Sequence, residues 1–177
     1  MFMEHTILDD YLSYHEEYSK KYGENTIVLM EVGSFYEIYA LINDEVSLGP
    51  DIYHIGQNVL QLSVVKRNKK IKEITKKNYL QAGFPSPSIQ KYENILLNHN
   101  YTVVIVEHVT PPPNPERAVT RVVSPGTSLS NYNKRDSNFL MSVFIEKVSY
   151  VNSDNYIVGL TTMDVSTGKN YLHSILN

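Results

Sequence analysis

Apolar and polar positions along the first 126 residues follow helical spacing in two segments and extended spacing in several others. Residues 7–21 have a helical period, and Gly23 follows them as a stop signal. The apolar positions of this predicted helix are Ile7, Tyr11, Tyr14 and Tyr18. Residues 27–41 form two apolar runs around Gly33 and Ser34, which predicts a strand, a turn and a second strand.

The rest of this region combines one more helix with further strands. Residues 89–98 have helical spacing, and either Ser86 or Ser88 is a candidate to cap that helix. Residues 43–56 have only a weak pattern, with a turn at Gly49 and Pro50. Strands are predicted at residues 60–65, 79–84, 102–109 and 117–123, with a rigid proline-rich loop at 111–115. This alternation predicts an α/β or mixed α+β domain.

The character of the chain changes after Gly126. Residues 127–137 are polar and predict a linker. Beyond it, three strands are predicted at residues 138–149, 156–165 and 170–176, the last two joined by a hairpin turn at 166–169. Three antiparallel strands make a poor domain on their own. We therefore expect one domain at residues 1–126, a linker at 127–137, and an incomplete second domain at 138–177.

Composition excludes some classes of function and leaves others open. The chain has 177 residues, 42% of them hydrophobic, which is enough for a sizeable core. It contains no cysteine, so disulfides, zinc-thiolate sites and thiol catalysis are excluded. The formal net charge of -3 counts mildly against nucleic-acid binding through charge alone. We find no signal peptide and no transmembrane segment in the sequence, and we expect an intracellular protein, with its compartment open.

Two groups of residues are candidates for chemistry. The first is the basic cluster, which we define as the seven Lys and Arg residues between positions 66 and 77. It is either a solvated loop or a set of contacts to phosphates, which position a duplex without reading its sequence. The six histidines are scattered without the spacing of metal ligands, and no nucleotide-binding glycine motif is present.

The second group is Phe35, Tyr36 and Glu37, at the predicted turn. Aromatic residues in such a run are most often part of the core. The alternative is that an exposed Phe35 enters between base steps from the minor groove and kinks a duplex. Because side chains alternate along a strand, Phe35 and Tyr36 point to opposite sides, and the second interpretation requires Tyr36 to be the buried one.

Several motifs, taken in order, resemble the MutS family of DNA mismatch-recognition proteins. GSFYE at residues 33–37 resembles the family's G-x-F-Y-E motif. Four other segments resemble family segments in the same order: LSVVKR at 62–67, AGFP at 82–85, RAVTRVVSPGT at 117–127 and TMDVSTGK at 162–169. Each motif is weak alone, but together they cover nearly the whole chain and are specific.

The resemblance implies both a fold and a site. The fold is a mismatch-binding domain with a mixed sheet flanked by helices, followed by the first antiparallel strands of a ribonuclease H-like connector domain. By resemblance, Phe35 is the wedge that stacks on the mispaired base, and Glu37 is the carboxylate that hydrogen-bonds that base. The predicted contacts to the DNA backbone are Lys66, Arg67, Lys69 and Lys70. The implied partner is mismatched double-stranded DNA.

The family also has lever, clamp and ATPase domains, which we do not find in these residues. The resemblance therefore implies a binding module and not an enzyme, with no cofactor of its own, whereas the full-length family member would be a homodimer that uses ATP and Mg. Two alternatives stay open. One is a protein-interaction module that kept the fold without DNA binding. The other is a fragment of a ribonuclease H-like nuclease with Asp164 as a metal-binding carboxylate.

Overall fold

The computed structural model describes residues 6–111, 115–128, 139–150, 153–165 and 167–176. It divides into two compact units, Met1–Pro125 and Gly126–Asn177. The helices are α1 (Ile7–Tyr22) and α2 (Ile89–Asn98), with a π-helix at His54–Val59 and a 3-10 turn at Ser86–Ser88. The first unit has seven strands: β1 (Thr26–Val32), β2 (Phe35–Ile42), β3 (Ser47–Leu48), β4 (Val65–Lys66), β5 (Leu80–Pro85), β6 (Thr102–His108) and β7 (Arg117–Val123).

These seven strands form one mixed sheet. Six of them follow the order β4-β5-β2-β1-β6-β7, and β3 pairs with β2 beside this path. β1 and β6 are parallel, and every other pair is antiparallel. The central β1 is buried along most of its length, which explains its nearly continuous apolar sequence.

One helix covers each face of this sheet. On one side the ring of Tyr11 in α1 packs edge-on against Tyr39 of β2, with 5.3 Å between ring centroids. We call this side of the sheet the α1 face. On the other side Tyr92 of α2 stacks on Phe84 of β5 at 4.0 Å, and we call this side the α2 face. A mixed sheet flanked by helices is the fold that we predicted from the sequence.

Two predictions about the first unit are wrong. Residues 60–65 are not a strand, because Leu60 ends the π-helix and Gln61 has a φ of 55°, which an extended strand does not allow. Only Val65 and Lys66 pair with β5. In addition, Ser88 stands at the start of α2 but makes no side-chain capping bond. The weakly patterned residues 43–56 contain β3 and the start of the π-helix.

The second unit is a three-stranded antiparallel sheet in the order β10-β9-β8. Its strands are β8 (Phe139–Tyr150), β9 (Ser153–Asp164) and β10 (Asn170–Leu176). Large apolar side chains are exposed on it, among them Phe144 and Leu172. Most of the predicted linker, the centre of the proline-rich loop, and Ser166 of the hairpin turn lie outside the described residues. Within the described residues, no helix is long and apolar enough to cross a membrane.

Candidate nucleic-acid interface

The turn between β1 and β2 fixes the position of the candidate wedge. Val32 pairs with Phe35, so Gly33 and Ser34 form a two-residue hairpin turn. Gly33 has a φ of 61°, a conformation that side-chain-bearing residues adopt at a cost. The backbone N–H of Ser86 donates to the carbonyl of Ser34 at 2.9 Å. The turn is therefore held both by its own hairpin and by the segment that follows β5.

Phe35 and Tyr36 are consecutive, yet their environments are opposite. Phe35 is 44% exposed, whereas Tyr36 is 5% exposed. This is the arrangement that the wedge interpretation required, and it rules out Phe35 as a core residue. Across the sheet Phe35 pairs with Pro85, which is also exposed, so the end of this strand pair presents an apolar tip.

Tyr36 anchors this tip from the α2 face. Its ring stacks on Phe84 with 6.0 Å between centroids, and its hydroxyl donates to the carboxylate of Glu107. Burial and the neighbouring Glu107 raise the pKa of Tyr36, so the hydroxyl keeps its proton. Hydrogen bonds from Thr120 and Tyr36 lower the pKa of Glu107. Phe35 is thus fixed to a strand whose next side chain is packed and hydrogen-bonded.

Glu37 lies on the same face of β2 as Phe35, because the two are separated by one residue. Its side chain is partly buried, and one carboxylate oxygen, Oε2, accepts a hydrogen bond from the hydroxyl of Tyr39. Burial, and after it the hydrogen bond to Glu37, raises the pKa of Tyr39. Directly opposite Glu37 in β5 stands Gly83, which has no side chain to compete for the space.

Arg67 is the basic residue that the structure connects to this group. Its guanidinium nitrogen Nη1 donates to the hydroxyl of Tyr79 at 3.0 Å, and its Cζ lies 5.5 Å from the centre of the Tyr79 ring. The Tyr79 ring in turn packs edge-on against Tyr39 at 5.0 Å. A continuous set of contacts therefore runs from Glu37 through two tyrosines to Arg67 on the α1 face.

The other predicted backbone contacts lie apart from this set. Lys66 pairs with Leu80, whose side chain belongs to the α2 face, and its Nζ donates to the carbonyl of Lys72 at 3.1 Å. Lys69 and Lys70 are exposed in the loop that connects β4 to β5. The structure therefore groups Phe35, Glu37 and Arg67. Lys66 lies in β4 with its side chain on the other face, and Lys69 and Lys70 lie on the neighbouring loop.

That loop is ordered by Asn78, which the sequence analysis did not single out. Asn78 is 1% exposed, and its side-chain oxygen accepts the backbone N–H of Asn68 at 2.7 Å. Its amide nitrogen donates to the carbonyls of Ile71 and Glu73 at 3.3 and 2.8 Å. The loop that carries most of the basic cluster is thus held by hydrogen bonds, while Lys69 and Lys70 stay exposed on it.

Sequence reasoning also missed Tyr39 and Gly83. The sequence did indicate Tyr39, because it is two residues after Glu37 and their side chains therefore lie on the same face of the strand. An isolated glycine within a strand, such as Gly83, often marks a close approach of another group. To recognise that this group is Glu37, one needs the register between β2 and β5, which joins residues forty or more positions apart.

The nuclease alternative rested on Asp164, at the end of β9. Its carboxylate oxygen Oδ2 accepts a hydrogen bond from the hydroxyl of nearby Thr167 at 2.8 Å. Among the residues that the structure describes, no three His, Asp or Glu side chains are grouped as a metal site. Within the part of the chain that the structure describes, no carboxylates converge on Asp164 in the way that two-metal chemistry requires.

Comparison with known proteins gives the family. The family model for MutS domain I matches residues 11–132. A DNA mismatch repair protein mutS homologue from Acanthamoeba polyphaga mimivirus is 33% identical over 171 residues, which cover 95% of this chain and 15% of that protein. The DNA mismatch repair protein MutS of Streptococcus agalactiae is 30% identical over 168 residues, covering 92% of this chain and 16% of that protein.

The corresponding protein of Lactococcus lactis is 26% identical over 166 residues, again 92% of this chain and 16% of the relative. The chain therefore spans about one sixth of the length of the curated relatives it matches. The family model covers the whole seven-stranded sheet, α2 and most of α1, including the tip that carries Phe35 and Glu37. On this match, the chain belongs to the MutS family and contains its domain I.

Proposed function

We propose that this chain recognises mismatched or bulged base pairs in double-stranded DNA, with Phe35 inserted from the minor groove and Glu37 hydrogen-bonded to the displaced base. One observation carries the proposal: an exposed Phe35 lies at a tip that the buried Tyr36 anchors, with the Glu37 carboxylate on the same face. The relatives bear the name of DNA mismatch repair proteins, which supports the same partner.

The wedge discriminates through the energy needed to deform the duplex. A rigid aromatic side chain pushed into the minor groove unstacks a base step at a cost of about a few kcal/mol. A mismatched or bulged step is already poorly stacked, so the same insertion costs less there. A single well-held Phe35 therefore favours mismatches without reading a sequence.

Glu37 acts on the base that the wedge displaces. A carboxylate needs a proton to donate to a ring acceptor of a purine, whereas the ionised form only accepts. The Tyr39 hydroxyl occupies Oε2, and among the described residues no group donates to Oε1. In this proposal Oε1 is the atom that meets the base.

Backbone contacts then hold the duplex against this tip. Arg67, on the α1 face with Glu37, is the first candidate for a phosphate contact. The further candidates are Lys66 at the end of β4 and Lys69 and Lys70 on the β4–β5 loop. The chain as a whole is acidic, with a net charge of -3, so these contacts depend on local and not overall charge. For a longer protein that contains this chain, we propose ATP- and Mg-dependent activity, homodimerisation and an intracellular location.

The test is the ratio of affinities for a duplex with one unpaired thymine and for the matched duplex, measured by fluorescence anisotropy. We expect the wild-type chain to prefer the bulged duplex and Phe35→Ala to lose most of that preference. Leu48→Ala is the matched control, since Leu48 is 43% exposed and pairs with the opposite end of β2. It should keep the wild-type ratio.

Two results would contradict the proposal. In the first, Phe35→Ala keeps the wild-type preference, so that the wedge is not the discriminating element. In the second, the chain fails to bind either duplex at low and at moderate salt. That result would favour the alternative of a protein-interaction module that kept the fold without DNA binding.

A further inference from the structure

We infer that Tyr39 and Gly83 are positioning residues that set the orientation of the Glu37 carboxylate and thereby determine how sharply mismatches are discriminated. The inference rests on the proposed function, because it assigns to these residues an effect exerted through Glu37. Neither residue needs to touch DNA.

Tyr39 is held rigidly enough to act as a fixed donor. It is 1% exposed, and its ring is packed edge-on between Tyr11 at 5.3 Å and Tyr79 at 5.0 Å. Its position on β2 allows its hydroxyl to reach back along the strand to Oε2 of Glu37. Because burial keeps this hydroxyl protonated, it donates to Glu37 at all ordinary pH values.

Gly83 supplies the space in which the Glu37 side chain lies. A Cβ at position 83 would stand 2.9 Å from Cγ of Glu37 and 2.8 Å from the carbonyl oxygen of Tyr36. Both distances are shorter than carbon and oxygen atoms tolerate, so any side chain here would displace Glu37 or the strand itself. On the other side Glu37 pairs with Met30, which is fully buried.

Together these contacts confine the carboxylate before any ligand arrives. Flexible side chains such as Glu lose conformational freedom when they bind, and this loss weakens binding. The Glu37 side chain loses most of this freedom when the domain folds, so little is left to lose when DNA binds. The displaced base then meets Oε1 at a fixed position. A base without a hydrogen-bonding group at that position forms no bond with Glu37, and its binding is not strengthened.

The experiment is a double-mutant cycle on the 177-residue chain. Affinities for the thymine-bulge and matched duplexes are measured for wild type, Tyr39→Phe, Glu37→Ala and the double variant. We expect Tyr39→Phe to reduce the ratio of affinities about fivefold, as for loss of one hydrogen bond, with matched-duplex affinity unchanged. In the Glu37→Ala background the same substitution should have no further effect.

Tyr14→Phe is the matched structural control. Tyr14 is partly buried against the core, and its hydroxyl donates to the carbonyl of Arg117 at 3.0 Å and not to Glu37. Its removal should lower the melting temperature while the ratio of affinities stays at the wild-type value. A drop in the ratio for Tyr14→Phe equal to that for Tyr39→Phe would show a general structural effect and overturn the inference.

The remaining outcomes separate the inference from the function it rests on. If Tyr39→Phe lowers the ratio equally with and without Glu37, Tyr39 does not act through Glu37 and the inference fails. If Glu37→Ala lowers the ratio and Tyr39→Phe leaves it unchanged, the inference fails while the proposed function stands. If both Phe35→Ala and Glu37→Ala keep the wild-type ratio, the proposed function fails and the inference with it.

Discussion

The Tyr36 hydroxyl donates to the carboxylate of Glu107, which joins the start of β2 to the end of β6, two strands away in the sheet. Glu107 also accepts the hydroxyl of Thr120 from β7. Three strands are thus tied together directly behind Phe35. The tip is stiff because its neighbour in sequence is bonded across the sheet.

The hydrogen bond between Tyr36 and Glu107 predicts that the free energy of unfolding depends on pH. The hydrogen bonds that Glu107 accepts from Thr120 and Tyr36 lower the pKa of its carboxyl below the ordinary value of 4.5. A lowered carboxyl pKa stabilises the folded state above the unfolded pKa, and that contribution disappears as the pH falls through the folded pKa. Urea unfolding should therefore show wild type more stable than Glu107→Gln at pH 7, with the difference shrinking below pH 4.5.

Glu24→Gln is the control, because Glu24 is exposed and has no such role in the sheet. It should have little effect at either pH. A difference between wild type and Glu107→Gln that stayed constant down to acid pH would argue against the Tyr36–Glu107 connection.

Gly83→Ala should destabilise the first unit. Its added Cβ would meet the Tyr36 carbonyl oxygen, a backbone atom that moves only with its strand. We expect a loss of about 1–3 kcal/mol in the free energy of unfolding, typical of an overpacked site. Gly159→Ala in β9 meets nothing closer than 3.7 Å and is the comparison in thermal melts. Equal melting temperatures for Gly83→Ala and wild type would show that β2 and β5 do not approach this closely.

Asn78→Ala should loosen the loop that carries the basic cluster. Asn78 makes one accepted and two donated hydrogen bonds within that loop, and its truncation removes a partner from the backbone groups of Asn68, Ile71 and Glu73. The loop is rich in Lys and Arg, so limited digestion with trypsin reports its opening. We expect faster cleavage between residues 66 and 77 in Asn78→Ala, and wild-type cleavage in Asn58→Ala, whose side chain is exposed. Equal cleavage rates in both variants would be evidence against this role.

Arg67→Ala should change the dependence of DNA binding on salt. If Arg67 contacts one phosphate, its removal lowers the slope of log affinity against log salt by about one and weakens bulged and matched duplexes alike. Lys20→Ala is the control, since Lys20 is exposed on α1 and paired with Glu16. A change in mismatch preference at constant slope would assign Arg67 to base recognition instead.

The strong local patterns predicted most of the first sheet correctly. β1 and β6 are apolar runs because both faces are covered. The alternation after Gly33 correctly put Phe35 and Tyr36 on opposite sides, and the wedge interpretation drawn from the family resemblance required the buried one to be Tyr36, as the structure has it. Leu60 misled the prediction of a strand at residues 60–65, since it is buried at the end of the π-helix and not in the sheet. A short apolar run in the sequence cannot distinguish a buried strand from a buried part of a helix.

The environment of the site depended on contacts between distant segments. Nothing near Glu37 in the sequence indicates that Gly83 faces it, or that Tyr79 connects Tyr39 to Arg67. Such contacts follow from strand register, which many weak side-chain preferences determine together. The motifs identified Phe35 and Glu37 as candidates, and the structure adds the side chains that hold them.

The central claim is that Phe35 kinks a mismatched duplex, and the bend angle tests it most directly. Resonance energy transfer between dyes at the two ends of a short duplex reports that angle at saturating protein. We predict a rise in transfer when wild type binds a thymine-bulge duplex, and little change for Phe35→Ala bound to the same duplex or for wild type bound to the matched one. Equal bending by wild type and Phe35→Ala would contradict the account.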